Sequence, residues 1–491
     1  MIHTYKLAGH KIIVDAGSGS IHCVDDVAFD AICFYEREGR ESAEKQIRHK
    51  YVGLDESEIA ELFDDIEELR RQGSLFAEDA SAAALTQTKK PSIKALCMNV
   101  SHLCNMACSY CFARSAGYAG HGSLMSLETG KRAIDFLVGN SNGRKMLDVD
   151  FFGGEPLLNW DTVKEIVDYA RKKERECGKK FRFTLTTNGS LIDEEIVDFT
   201  TREMHNVVLS LDGRREINDA ARLFADGGGS YDVVLPGIKR LVEARGGKGY
   251  YIRGTYTRDN LDFARDILHM ADLGFNELSM EPVVARPGMP FALTKSDLPK
   301  LFEQYEQLAT EMIKRKREKR GFTFYHFKLD LKGGPCIYKR VAGCGVGTEY
   351  MAVTPDGGLY PCHQFIGDEK FLLGDIWHGV ANEKLREEFA GCGINSRPGC
   401  MGCWARLYCS GGCAANAFND TGSIAGVYEL GCELFKKRLE CAIMIKVEDR
   451  VMSARLRGRT EATNLPVEHC RQERKDRRSY PNRPDNPDCT G

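Results

Sequence analysis

The chain has 491 residues, 42% of them hydrophobic, with 68 basic against 71 acidic side chains. That length exceeds one compact core and suits two or three domains, and a net charge of −3 gives no electrostatic reason to expect a nucleic-acid partner. No run of about 18 apolar residues calls for a membrane span, and the Met1–Asp15 start lacks the charged-then-apolar layout of a signal peptide, so a cytoplasmic location is expected.

Residues 1–80 read as a small separate unit. Tyr5–Leu7, Lys11–Val14 and Ser20–Val24 are short strand candidates, with turns at Gly9 and Ala16–Gly19. Asp25 or Asp26 can cap a helix running to Tyr35. A second helix starts near Asp55, with Ile59, Leu62, Phe63, Ile66 and Leu69 on one face and Gly73 at its end. A hairpin followed by helices resembles a winged helix-turn-helix. Residues 81–92 are low in complexity and read as a linker.

From about 93 to 285 strands and helices alternate, within a core domain expected over 93–320. Ala95–Val100, Met146–Phe152, Arg182–Thr187, Asn206–Leu211, Tyr250–Tyr256 and Glu277–Glu281 are the strand candidates. Six β/α repeats imply an α/β fold, a parallel sheet with helices outside and its site at the strand C-terminal ends. A charged helix over 300–320 leads into a cysteine-rich segment, 321–450. The tail, 451–491, is rich in Arg, Asp, Pro and Asn without periodicity and is expected to be disordered.

Nineteen cysteines in a long chain without a secretion signal point to metal rather than disulfides. Cys104, Cys108 and Cys111 form a C-x3-C-x2-C cluster after the first strand of the repeats. Three thiolates in eight residues do not complete a structural zinc site. They can hold three irons of a [4Fe–4S] cluster and leave the fourth iron open for the amino and carboxylate groups of S-adenosylmethionine. A zinc site borrowing a distant ligand is the alternative. Gly153, Gly154, Glu155 and Pro156 end the second strand, Asn188 lies at the end of the third, and Ser210 and Asp212 at the end of the fourth. The glycines permit close backbone approach. Arg222 and Arg253 suit bidentate carboxylate recognition.

These motifs, in this order along β/α repeats, resemble the radical S-adenosylmethionine superfamily, whose core is a partial (β/α)6 TIM-like barrel. The resemblance implies that Glu155 meets the cofactor's ammonium group within a Gly-Gly-Glu-Pro motif. It places Ser210 and Asp212 near the ribose, and pairs Arg222 with the cofactor carboxylate. Reductive cleavage would then release a 5′-deoxyadenosyl radical.

A second group runs Cys344, Cys362, Cys400, Cys403, Cys409, Cys413 and Cys432, or C-x12-G-x4-C, C-x2-C-x5-C-x3-C, C. It resembles the SPASM domain. By that resemblance Cys336, Cys344, Cys362 and Cys413 hold one auxiliary [4Fe–4S] cluster, and Cys400, Cys403, Cys409 and Cys432 another, three clusters in all. If Cys336 is not a ligand, the first auxiliary cluster has an open iron; Cys392 is an alternative ligand without motif support. Two zinc sites are the other reading. Cys23, Cys33, Cys97, Cys177 and Cys441 read as small buried apolar residues. Cys470 and Cys489 lie in the tail.

The chain up to about 450 is similar to thioether-forming maturases of the "six cysteines in forty-five residues" peptides. That resemblance rests on Ser18–His22, Arg253–Thr257, Pro361–Phe365 and Cys409–Cys413 as well. It implies a cysteine-rich precursor peptide bound through its leader by the N-terminal unit, and a low-potential electron donor such as flavodoxin or ferredoxin. The product would be a bond from cysteine sulfur to an α-carbon. Formylglycine formation, carbon–carbon crosslinking and a noncatalytic iron–sulfur scaffold remain as alternatives.

Overall fold

A computed structural model describes residues 1–78, 92–115, 122–331 and 343–456. Its centre is a run of six parallel strands, each hydrogen-bonded to the next in sequence: β4 (Ala95–Ser101), β5 (Met146–Gly153), β6 (Lys180–Thr187), β7 (Asn206–Ser210), β8 (Tyr250–Tyr256) and β9 (Glu277–Pro282). Helices over Leu127–Asn140, Trp160–Cys177, Glu194–Glu203, Tyr231–Ala244 and Phe263–Asp272 connect them. Each helix buries one apolar stripe, as in Val163, Ile166, Val167 and Ala170, against strand residues such as Val149, Phe151, Phe183 and Leu185.

Alternation along the strands does the rest. In β8, Tyr250, Ile252 and Tyr256 are buried outward under the helices, while Tyr251, Arg253 and Thr255 point the other way and remain half-exposed. The inner face of the curved sheet therefore carries polar side chains.

The sheet does not end with the repeats. A two-residue strand, β10 (Thr323–Phe324), extends it beyond β9. On the far edge β11 (Tyr350–Val353) pairs in parallel with β4, and β12 (Gly358–Tyr360), β13 (Gly374–Asp375) and β14 (Gly379–Val380) continue antiparallel, giving an eleven-stranded sheet. The cysteine-rich segment thus shares backbone hydrogen bonds with the barrel. An open β4 edge would present unpaired N–H and C=O groups, and the apolar Met351, Ala352 and Val353 cover it with no exposure.

The N-terminal unit is a three-stranded antiparallel sheet, β1 (Ile2–Leu7), β2 (His10–Asp15) and β3 (Ile21–Val24), followed by helices Asp26–Glu38, Arg40–Lys50 and Glu56–Arg71. Asp25, rather than Asp26, is the cap: its side chain accepts from the Ala28 N–H at 2.8 Å. Asp55 and Glu58 form a capping box at the third helix. Ile13, Phe29, Ile32, Ile47, Ile59, Phe63 and Ile66 make a core of the unit's own, whereas Leu7, Ile12, Val14 and Ile21 belong to the main core.

One sheet face is thereby fixed to the body. His3 meets Glu440 at 2.9 Å and stacks on Trp404, the Tyr5 hydroxyl donates to the Glu440 carbonyl at 3.0 Å, and His10 meets Glu448 at 2.7 Å. Glu440 and Glu448 lie on the helix Glu429–Leu456, which also packs along the helix Leu298–Arg317. That final helix crosses the boundary expected at 450. The linker falls within 79–91 and most of the tail within 457–491, both outside the described residues, as is Cys336.

Candidate active site

The cysteine triad occupies the loop that leaves β4. Its shape is set by β5, whose end closes on it: the Gly154 N–H donates to Ser101 O at 2.7 Å and the Glu155 N–H to Leu103 O at 2.8 Å. Only glycines permit this. A β-carbon on Gly153, at φ +139°, would lie 2.1 Å from Ser101 O, and one on Gly154 would lie 2.3 Å from Leu103 O and 3.1 Å from Cys104 Cβ. The glycines expected to admit a ligand admit the cysteine loop itself.

From the other side the loop is tied to residues 221–224. The Ala107 N–H donates to Leu223 O at 2.7 Å and the Ser109 N–H to Ala221 O at 2.9 Å. Asn105 donates to Ser190 Oγ at 2.8 Å and accepts from Asn188 Nδ2 at 2.9 Å. Burial pushes the Cys104 thiol up to about 12, and the charges of Glu155, Cys108 and Cys111 push it further the same way, which places the three sulfurs as electrostatic neighbours.

Glu155 is fully buried. It accepts from the Asn188 N–H at 2.8 Å, the Thr187 hydroxyl at 2.8 Å and the Leu157 N–H at 3.1 Å, capping the 3-10 turn Pro156–Asn159. Burial outweighs these donors and pushes its carboxyl up to about 7. Asp212 is equally buried and equally occupied. It accepts from Tyr110 Oη at 2.5 Å and the Thr255 N–H at 2.8 Å, and pairs with Arg222 Nε at 3.0 Å. The Arg222 guanidinium also lies 5.6 Å from the Tyr110 ring centre. Burial disfavours the Arg222 charge, but Asp212, Tyr110 and Cys108 more than restore it.

Ser210, Arg253 and Ser279 stand in one row across β7, β8 and β9. Arg253 Nη2 lies 3.3 Å from Glu281 Oε2, and the two side chains are 39% and 42% exposed although protein surrounds both: they line an internal lumen. Arg253 holds the Glu281 carboxyl down to about 2. Deeper in the row Arg438 donates to His326 Nδ1 at 3.2 Å, and His326 Nε2 lies 3.1 Å from Ser279 Oγ. Because arginine only donates, His326 Nδ1 is the acceptor and Nε2 carries the proton. Alternation along β8 puts Arg253 on the inner face, and the same alternation along β9 marks Glu281; His326 and Arg438 carry no local signal.

The second cysteine group resolves into two neighbourhoods. Burial raises the Cys362 thiol, and the charges of Cys413 and Cys344 add to it; Cys413 and Cys344 are neighbours likewise. Cys409, pushed up to about 12 by burial, neighbours Cys432, Cys400 and Cys403. These last four line one cavity of about 430 Å³. Cys392 lies beside Cys344, bonded to Ile424 O at 2.9 Å. Among the described residues no three His, Cys, Asp or Glu converge tightly enough to hold a single ion. Of the cysteines expected to be buried, Cys97 and Cys441 are; Cys23, Cys33 and Cys177 are half-buried. Cys470 and Cys489 lie outside the described residues.

The triad and the first of these neighbourhoods face each other. The ring of His363, next to Cys362, lies 4.9 Å from Phe152 and 5.4 Å from Phe112, the residue after Cys111. Its Nδ1 is 3.2 Å from Tyr350 Oη and 3.7 Å from Cys362 Sγ.

Residues 98–266 match the family model of the Radical SAM superfamily. They form a radical SAM domain. Such a domain implies S-adenosylmethionine and a [4Fe–4S] cluster, and the fully sulfur donor set of Cys104, Cys108 and Cys111 fits that cluster. The chain is 34% identical over 135 residues to an uncharacterized protein of Methanocaldococcus jannaschii and 30% identical over 195 residues to the radical SAM cyclopropyl synthase TigE of Paramaledivibacter caminithermalis. These matches cover 28% and 36% of this chain, and only 44% and 39% of those proteins. It is 26% identical over 354 residues to a cysteine-type anaerobic sulfatase-maturating enzyme of Clostridium novyi, covering 66% of this chain and 88% of that one. The solved structure of anSMEcpe with bound AdoMet and Cp18Cys peptide superposes with a TM-score of 0.60 at 21% identity, over 74% of this chain and all of that one. Over about three-quarters of this chain the fold is therefore shared with that protein.

Proposed function

We propose that the chain is a radical S-adenosylmethionine enzyme that installs a sulfur-to-α-carbon thioether in a cysteine-rich precursor peptide. The observation that supports this reading is that the ring of His363, next to Cys362, lies against Phe112 and Phe152 beside the Cys104–Cys111 loop. Three sulfurs lie on the barrel side and Cys344, Cys362 and Cys413 on the other, with Phe112, Phe152 and His363 between them.

S-adenosylmethionine bound at a cluster on Cys104, Cys108 and Cys111 supplies a radical able to take hydrogen from a C–H bond. Glu155, held by Asn188, Thr187 and Leu157, and Arg222, paired with Asp212, lie beside the triad sulfurs; meeting the two ends of an amino acid group would require them to exchange those partners. Arg253, Glu281, Arg438 and His326 line the lumen a peptide segment would enter, and Phe112 and Phe152 keep water from the reacting carbon. Cys344, Cys362 and Cys413, with Cys336 or an open position, would hold one auxiliary cluster, and Cys400, Cys403, Cys409 and Cys432 the other. β3 pairs only with β2 among the described strands and offers its free edge to an extended leader. A flavodoxin or ferredoxin would supply electrons.

Oxidation of a protein cysteine or serine to formylglycine is the second reading, favoured by the breadth of similarity to the sulfatase-maturating enzyme. One experiment separates them. The chain is coexpressed with a cysteine-rich peptide encoded beside its gene, and the product is reduced, alkylated and weighed. A thioether leaves the peptide two hydrogens lighter per link with cysteines that resist alkylation after reduction, because thiol exchange needs a sulfur–sulfur bond. Formylglycine made from cysteine loses its sulfur and reacts with hydrazide. Fully alkylatable cysteines alongside a mass loss of two hydrogens would point to carbon–carbon crosslinking.

A further inference from the structure

Arg397 is 5% exposed in the middle of the cysteine-rich domain. Its guanidinium donates to Ile424 O at 2.9 Å, to Gly426 O and to Cys392 Sγ at 3.2 Å. All three acceptors are neutral. Its Nε is buried with no acceptor among the described residues. A guanidinium stays charged even when buried, and a buried charge without a counter-charge is costly.

The side chain lies against the loop that divides the two neighbourhoods. A β-carbon on Gly411, at φ +86°, would come within 3.3 Å of Arg397 Cδ and Nε. Gly411 sits between Cys409 and Cys413, which belong to opposite groups. The Arg397 carbonyl also accepts from the Cys400 N–H at 3.3 Å. The side chain thus reaches from Cys392 to the turn between Cys409 and Cys413, so one cation borders cysteines of both groups.

We infer that Arg397 is a positioning residue that serves both auxiliary clusters as a shared counter-charge and raises the reduction potentials of both. This rests on the reading that these cysteines hold iron–sulfur clusters. Three or four thiolates make each cluster anionic, and reduction adds one further negative charge; a fixed positive charge nearby favours the reduced form. The Cys104–Cys108–Cys111 cluster, tied to β5 and residues 221–224, lies outside this arrangement.

The test uses the full chain, anaerobically reconstituted, with R397Q and R397K beside the parent. Iron and sulfide are counted first in the parent: a single cluster there would remove the underlying reading, independently of what Arg397 does. With three clusters present, potentials are read by electron paramagnetic resonance during redox titration. The expected result is that R397Q shifts both auxiliary potentials to lower values, leaves the triad cluster unmoved, and is rescued by R397K, which keeps the charge and loses the fork. Loss of auxiliary iron in R397Q but not R397K would also support a need for the charge. Unchanged auxiliary potentials in R397Q, or auxiliary iron lost equally in both variants, would overturn the inference and leave Arg397 as a packing residue.

Discussion

Tyr110 Oη lies 2.5 Å from Asp212 Oδ2, which joins the cysteine loop after β4 to the end of β7. The same oxygen faces Arg222 at 3.0 Å. One buried carboxylate thus holds the loop and the residue that sits over it.

Replacing Asp212 by Asn should cost about 3 kcal/mol or more, since it leaves a buried guanidinium without its partner. Y110F removes one hydrogen bond to a charged group, about 1.5–3 kcal/mol, and keeps the ion pair. Thermal midpoints of the anaerobic protein should therefore fall further for D212N than for Y110F. The reverse order would mean that the hydroxyl, not the ion pair, organises the loop.

The triple variant C104A/C108A/C111A should reduce 5′-deoxyadenosine release to background while auxiliary iron is retained. The motivation is that these three sulfurs stand apart from the other two cysteine neighbourhoods. Deoxyadenosine formed at the parent rate would show that the cofactor is cleaved elsewhere.

Two glycine substitutions should behave oppositely. G154A drives a β-carbon to 2.3 Å from Leu103 O, against backbone that cannot yield cheaply, so triad iron content and cofactor cleavage should both fall several-fold. G139A meets nothing within 4 Å, inside the helix Leu127–Asn140, and should stabilise by up to about 1 kcal/mol. Iron counts and thermal midpoints on the same preparations settle both.

His326 should contribute to acid sensitivity. Burial, with Arg438 beside it, pushes its imidazole down to about 3. The folded form stays neutral while an unfolded histidine gains a proton below about 6.5, so stability falls as pH drops from 6.5 toward 3, by up to about 1.4 kcal/mol per pH unit. H326Q, which can keep both hydrogen bonds, should flatten the fall of the thermal midpoint between pH 7 and 5 relative to the parent. Parallel curves for the two proteins would locate the proton uptake at other groups.

Chemistry written in short spacings was legible from the sequence. The triad and the Gly-Gly-Glu-Pro turn each lie within a few residues, and the second cysteine series, though it runs from Cys344 to Cys432, keeps short fixed intervals over Cys400–Cys413, so residue type and interval suffice. Arg253 was legible because alternation along a strand fixes its face. The lumen around it was not, because it is assembled from β8, β9, His326 and Arg438, elements more than a hundred residues apart at the extremes. β11 is four residues long, too short for periodicity, so its pairing with β4 could not be foreseen. The attachment of the N-terminal sheet to the final helix depends on single contacts of His3, Tyr5 and His10 that no pattern announces.

That attachment, together with the β11–β4 pairing, bears on how the chain is made. β4 must wait for a partner about 250 residues downstream, and the face of β1 for a helix more than 400 residues downstream. Contacts of such separation slow folding and leave strand edges open meanwhile. Until synthesis ends, two apolar surfaces and most of the thiols have no final partner, so this protein should depend on chaperone cover and timely iron–sulfur delivery when overproduced, and shortening it at either end should harm the opposite terminus.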